Sequence, residues 1–122
     1  MKNFRDKVAV ITGSGSGMGR ELAIELAQAG ANIALVEWNE TTLNETAELL
    51  KSYNIGVSKH IVDVSDKDAI YALPDQVIEE HGSVDMVFNN AGVALSSTIE
   101  ESTDEDWDWG WGILLHGVIN WP

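Results

Sequence analysis

The stretch Thr12-Gly13-Ser14-Gly15-Ser16-Gly17-Met18-Gly19 decides the fold because of what flanks it. Ahead of it, Lys7 to Thr12 is a short, β-branched apolar run that suits a strand buried on both faces. Behind it, Met18 to Ala29 carries Leu22, Ala23, Leu26 and Ala27 at helical spacing, and Gly30 supplies a stop signal. A glycine-rich turn from strand to helix brings backbone N–H groups, unshielded by Cβ atoms, to the positive end of a helix dipole. That combination suits a phosphate. Gly13 then serves the tight turn, Gly17 the close approach of backbone to phosphate, and Gly19 the packing of helix on strand. Taken alone, the glycines equally allow a flexible Gly/Ser loop.

Working outward, the strand–helix alternation repeats. Asn32 to Val36 reads as a second buried strand, Asn39 to Tyr53 as a helix with Leu43, Ala47 and Leu50 on one side, and Val57 to Val64 as a third strand. Ser65, as N-cap, starts a helix towards His81 and Gly82, with Pro74 expected to kink or restart it. Val84 to Phe88 supplies a fourth strand, and a loop follows from Asn89 to Glu100. Ser102 or Thr103 caps a last helix that begins among Asp104, Glu105 and Asp106. Parallel neighbours need crossovers, so this order implies an α/β fold: a parallel sheet with helices on both faces. Right-handed crossovers in a doubly wound arrangement give about four strands in the order 3-2-1-4.

The length of 122 residues, 44% of them hydrophobic, suits one domain spanning residues 1–122. The formal charge of −13 is uneven: all seven Lys and Arg lie at or before Lys67, while eleven acids and no base follow from Asp68 onward. A surface of that sign argues against nucleic-acid binding. No apolar run approaches the roughly 18 residues of a membrane span, and the Met1-Lys2-Asn3-Phe4-Arg5-Asp6 start lacks the apolar stretch of a signal peptide. A cytoplasmic location without membrane contact is the expectation. There is no cysteine, which excludes disulfides and thiolate metal sites. His60, His81 and His116 show no metal-ligand spacing, so no metal is expected and each is read as a surface or loop histidine.

The glycine spacing does not fit GxGxxG in any register, but it fits TGxxxGxG at Thr12, Gly13, Gly17 and Gly19. Glu37 follows the second predicted strand, Asp63-Val64 closes the third, and Asn89-Asn90-Ala91-Gly92 follows the fourth. In that order the motifs resemble the short-chain dehydrogenase/reductase family, and the chain is similar to its N-terminal, cofactor-binding half. The resemblance implies a Rossmann-like domain that binds NAD(H), with the motifs converging at the carboxyl ends of the strands. It places Gly13, Ser14, Ser16, Gly17, Met18 and Gly19 in the cofactor loop, and Glu37 with Trp38 by the adenosine ribose. It implies that Asp63 bonds the adenine amino group with Val64 beside the ring. It also implies that Asn90, Ala91 and Gly92 line the adenosine ribose and the route to nicotinamide. Asn89 and Asn90 also suit a turn that ties the sheet to the glycine loop.

Glu37 stands eighteen residues after Gly19, where a carboxylate can accept both hydroxyl protons of an unmodified ribose. A 2′-phosphate there would set two anions together without a cation. Ser14, Ser16, Trp38 and Asn39 hold the places where NADP-binding relatives carry a basic residue, so NAD(H) is expected over NADP(H). Arg20 is the one nearby cation, facing either the phosphates or solvent. The competing reading leaves Glu37 as a solvated strand end.

The segment Asp106 to Asn120 resembles the family's long helix after the Asn-Asn-Ala-Gly loop. The family carries an Asn midway, where the helix is locally opened and holds a water for proton relay. Aligning Trp109 and Gly117-Val118 puts Leu114 there, and leucine neither donates nor accepts a hydrogen bond. Gly110, Gly112 and Gly117 each cost a helix about 1 kcal/mol relative to alanine. Of the family's catalytic Ser and TyrxxxLys pair nothing is found: four residues after Tyr53 and Tyr71 stand Val57 and Asp75. The expected function is therefore an NAD(H)-binding fragment or short form of an oxidoreductase that is inactive alone, with no catalytic residue assigned. Activity with a complementing chain, or a non-catalytic interaction protein on the same fold, are the alternatives. Four tryptophans in the last sixteen residues also lead to the expectation of a homo-oligomer, a two-fold dimer that buries Trp107 to Trp121.

Overall fold

The computed structural model describes residues 3–93 and 97–121. Its order is β1 (Val8–Thr12), α1 (Gly17–Gln28), β2 (Asn32–Glu37), α2 (Glu40–Leu50), β3 (Val57–Ile61), α3 (Lys67–His81), β4 (Met86–Phe88) and α4 (Asp104–Trp111). A π-helical segment (Gly112–His116) then continues into α5 (Gly117–Ile119). The four strands are parallel and ordered β3-β2-β1-β4, the doubly wound order expected from the sequence. Residues 94–96 of the expected Asn89–Glu100 loop lie outside the described residues.

Strand residues alternate between two cores. Ala9, Ile11, Ile33 and Leu35 face α1 and α2, meeting Ala23, Leu26, Leu43 and Leu50, while Val8, Val10, Ala34 and Val36 face α3, meeting Ile70, Leu73 and Val77. Burial of each larger aliphatic side chain contributes about 1.5–3 kcal/mol. This decides the fate of Pro74. Of the kink or restart expected there, the restart does not occur: α3 continues through Pro74. A mid-helix proline costs about 3 kcal/mol or more, and the fully buried Ile70, Leu73 and Val77 offset that cost.

Boundaries differ from expectation where side chains take over backbone roles. Asp66, not Ser65, caps α3 by accepting from the Ala69 N–H at 3.2 Å, while the Ser65 N–H and hydroxyl both donate to Asp63 Oδ1, at 2.9 and 2.7 Å. The chain turns there, with the Asp66 N–H bonded to the Asp63 carbonyl, so β3 ends at Ile61 rather than Val64. β4 begins at Met86 rather than Val84 because Asp85 pairs with Val8 through both its N–H and its carboxylate, at 3.0 and 2.8 Å.

Thr103 caps α4 in a reciprocal box with Asp106, at 3.2 and 2.9 Å. Asp104, Glu105 and Asp106 in that first turn place part of the acidic excess against the positive end of the helix dipole. The tail glycines have a steric role that helix propensity hides. A Cβ on Gly112 would lie 3.0 Å from Ser65 Cβ, and one on Gly117 would lie 2.9 Å from Val64 Cγ2. Both let the tail helix lie close on the turn between β3 and α3.

Candidate cofactor-binding site

The glycine loop lies where the sheet winding reverses, between β1 and its neighbours β2 and β4. Gly13 and Gly17 have φ of 65° and 55°, a left-handed backbone that glycine adopts without strain. A Cβ on Gly19 would overlap the Gly13 carbonyl oxygen, so helix and loop meet there as the spacing predicts. Ser16 caps α1 without a side-chain hydrogen bond, and nothing lies within 4 Å of where a Gly17 Cβ would stand. There is thus open space beside Gly17 at the positive end of α1, where an oxyanion is favoured. Ser14 differs: it is buried, and its hydroxyl donates to the Val36 carbonyl at 3.2 Å.

Thr12 and Asn90 join this loop to the end of β4. Thr12 Oγ1 accepts from the Asn90 and Ala91 N–H groups, each at 3.0 Å, and donates to the Phe88 carbonyl at 3.3 Å. Asn90 Nδ2 donates to the Gly13 carbonyl at 3.2 Å. The turn-tying role of Asn90 is thus visible in its side chain. Thr12 was legible only as a motif letter; its hydroxyl does the tying from β1.

Glu37, at the end of β2, is 8% exposed, so it is no solvated strand end. Its carboxylate accepts from the Gly15 N–H at 3.1 Å and the Asn39 N–H at 3.2 Å, leaving lone pairs for further donors. Arg20 does not simply face solvent, its side chain being 25% exposed. Its guanidinium donates to the Gly15 carbonyl, to Thr46 Oγ1 at 3.0 Å and to Glu45 at 2.9 Å, while Thr46 donates to the Ser14 carbonyl at 2.9 Å. These bonds hold the loop from behind, against α2.

A cleft of about 490 Å³ opens in front, within the range of small-molecule sites. Ten of the thirteen expected site residues line it: Gly13, Ser16, Met18, Glu37, Trp38, Asp63, Val64, Asn90, Ala91 and Gly92. Ser14, Gly17 and Gly19 belong to the loop itself and are not among its lining residues. Asn39, Thr42, Val62, Val93 and Ile113 also line it and carry no sequence motif that marks them. No Lys or Arg is among the lining residues of the cleft.

Midway along the tail the helix widens into the π-helical segment, with Leu114 at its centre. A Cβ on Gly92 would lie 3.5 Å from Leu114 Cδ2, so leucine stands beside the Asn-Asn-Ala-Gly loop. The segment forms without an asparagine. Gly112 and Gly117 at its ends, seated on Ser65 and Val64, accompany it instead.

The structure corrects the reading of His60 and His81 as surface or loop histidines: His60 is buried on β3 and His81 ends α3. Ser58 Oγ lies 2.8 Å from Nε2 of each. A hydroxyl has one proton, so it donates to one ring and accepts from the other. Burial, the largest influence, lowers both pKa values below the ordinary 6.5; each ring's shift is opposed by Glu80, and that of His60 also by its bond to Gln76. Among the described residues no group of three or more His, Cys, Asp or Glu could hold a metal.

This sheet order, with an open helix N-terminus and a buried acid at the winding reversal, defines a nucleotide-binding α/β protein. The chain belongs to the short-chain dehydrogenase family, whose model matches residues 7–121. It is 36% identical over 120 residues to the putative oxidoreductase SadH of Mycobacterium tuberculosis, a match covering 98% of this chain and 44% of that protein. A short-chain dehydrogenase/reductase from Burkholderia phymatum in complex with NAD is 38% identical at a TM-score of 0.93, covering 98% of this chain and 43% of that one. L-sorbose reductase from Gluconobacter frateurii, complexed with NADPH and L-sorbose, is 36% identical at a TM-score of 0.91, over 97% and 45% of the two chains. The chain thus spans a little under half the length of each of these three proteins. Both cofactors occur among its structural neighbours.

Proposed function

We propose that this chain binds NAD(H), in preference to NADP(H), as the cofactor-binding part of a cytoplasmic short-chain oxidoreductase. NAD+ accepts a hydride from an alcohol carbon, and NADH returns it to a carbonyl. The observation that carries the reading is one cleft lined both by Ser16, the α1 N-cap whose side chain makes no capping hydrogen bond, and by Glu37. The pyrophosphate would meet the N–H groups of Gly17 and Met18, and Glu37 the two ribose hydroxyls. Asp63 Oδ1 is engaged by Ser65, which orients Oδ2 for the adenine amino group. Trp38 and Met18, 70% and 80% exposed, give the cofactor apolar surface to cover.

Hydride transfer needs a proton donor for the developing alkoxide, typically worth about 10²–10⁴-fold. None of the 122 residues supplies the family's tyrosine with a lysine four positions on, and Leu114 relays no proton. The 122-residue chain alone is therefore expected to bind without turnover. Following NADH absorbance with a panel of ketones, aldehydes and alcohols tests this, and turnover clearly above a Gly17→Asp control overturns it.

The same reading includes a two-fold dimer that covers the tail. Trp107, Trp109 and Trp111 are 42–53% exposed, beside exposed Leu114, Leu115 and Ile119. A monodisperse monomer by sedimentation at high concentration contradicts it.

A further inference from the structure

Gly15 occupies a position that TGxxxGxG leaves free, and its φ is not among the positive values. Backbone strain therefore does not require a glycine there. Space does. A Cβ on Gly15 would lie 2.7 Å from both Cγ and Oε1 of Glu37, and would overlap Thr42 Oγ1. The same residue's N–H donates to Glu37 Oε1 at 3.1 Å, and its carbonyl is gripped by Arg20.

We propose that Gly15 and Glu37 form a matched pair: the bare Gly15 lets the long Glu37 side chain fold back beneath the glycine loop, where the Gly15 N–H aims its carboxylate at the unmodified adenosine ribose. Gly15 is thus a positioning residue for cofactor selection. Two features make the aim specific. Glu37 has one more methylene than aspartate, and without an anchor its added rotamers would scatter the carboxylate. The anchor is rigid, because Arg20 and Thr46 fix the carbonyls of Gly15 and Ser14 on the side away from the cleft. A methyl at Gly15 meets Glu37 Cγ as well as its carboxylate, so the side chain must swing as a whole. It would then leave both the N–H and the ribose position.

This inference rests on the proposed NAD(H) binding, and the test separates the two. Affinities of the 122-residue chain for NAD+ and for its 2′-deoxyadenosine analogue are compared by calorimetry in the wild type, Gly15→Ala, Glu37→Ala and the double variant. In the wild type, loss of the 2′-hydroxyl should weaken binding by about tenfold or more, as expected for a hydrogen bond to a charged group. Gly15→Ala should bring that ratio to within about threefold of unity while binding of the deoxy analogue changes little. In the Glu37→Ala background the alanine at 15 should alter the ratio no further, because nothing remains to be aimed. A Gly15→Ala ratio equal to wild type, or a parallel fall for both ligands, overturns the pair. Wild-type chain that folds but binds neither ligand overturns the cofactor reading as well. Should Gly15→Ala alone fail to fold, restored folding in the double variant supports the clash with Glu37, and continued failure overturns it.

Discussion

Asn90 Nδ2 donates to the Gly13 carbonyl oxygen at 3.2 Å, and a Cβ on Gly19 would stand 2.5 Å from that same nitrogen. One amide group thus locks the loop after β4 to the turn after β1, with the first turn of α1 pressed against both.

Gly19→Ala should therefore destabilise more than Asn90→Ala. The first forces a methyl into a backbone oxygen that cannot yield, at about 1–3 kcal/mol or more. The second loses one partly buried hydrogen bond, about 1 kcal/mol. Urea unfolding of both variants gives the order, and the reverse order would falsify the packing role of Gly19.

At Gly117 two rules predict opposite signs. Helix propensity says that alanine stabilises by about 1 kcal/mol, whereas the contact with Val64 says that the added methyl displaces the tail. Net destabilisation is expected, relieved when Val64 is also reduced to alanine. A simple gain in melting temperature for Gly117→Ala would mean that the tail does not sit on Val64.

Arg20 separates buried from surface bonds. Its pair with Glu45 involves side chains 25% and 55% exposed and is screened by water, so Glu45→Gln should cost less than about 0.5 kcal/mol. Arg20→Met also frees the Gly15 carbonyl and Thr46 Oγ1, and should cost about 1–3 kcal/mol. Equal losses in thermal unfolding of the two variants would assign the effect to the ion pair.

His60 and His81 make stability depend on pH. Their folded pKa values lie below 6.5, so the unfolded chain binds protons more readily than the folded one. The stability they contribute is complete above the unfolded value and is lost as pH falls through 6.5 towards the folded values. A His60→Gln variant should flatten the pH profile of unfolding free energy across that interval. A wild-type profile already flat there would sink the assignment.

The sheet order was legible because Val8 to Thr12 and Ile33 to Val36 are buried on both faces, with Gly13 closing the first run and Gly30 ahead of the second, so local pattern and tertiary role coincide. The motif residues follow a similar rule, since each group stands at or just after the end of a strand: Gly13 after β1, Glu37 closing β2, Asp63 two residues past β3 and Asn89 after β4. The helix does not restart at Pro74 because the buried Ile70, Leu73 and Val77 offset the local cost that the sequence alone shows. Gly15, Thr42 and the grouping of Ser58, His60 and His81 were invisible because they depend on side chains distant in sequence. Twenty-two residues separate Gly15 from Glu37, and twenty-three separate Ser58 from His81.

The most direct measurement is titration of the folded chain with NADH and with NADPH, followed by energy transfer from tryptophan, with Gly17→Asp as control. Saturable NADH binding is expected, at least about tenfold tighter than NADPH and abolished by an acid at Gly17, where the pyrophosphate would lie against the α1 N-terminus. A chain that unfolds cooperatively yet binds neither cofactor, or binds NADPH as tightly as NADH, contradicts the reading of the cleft and of Glu37.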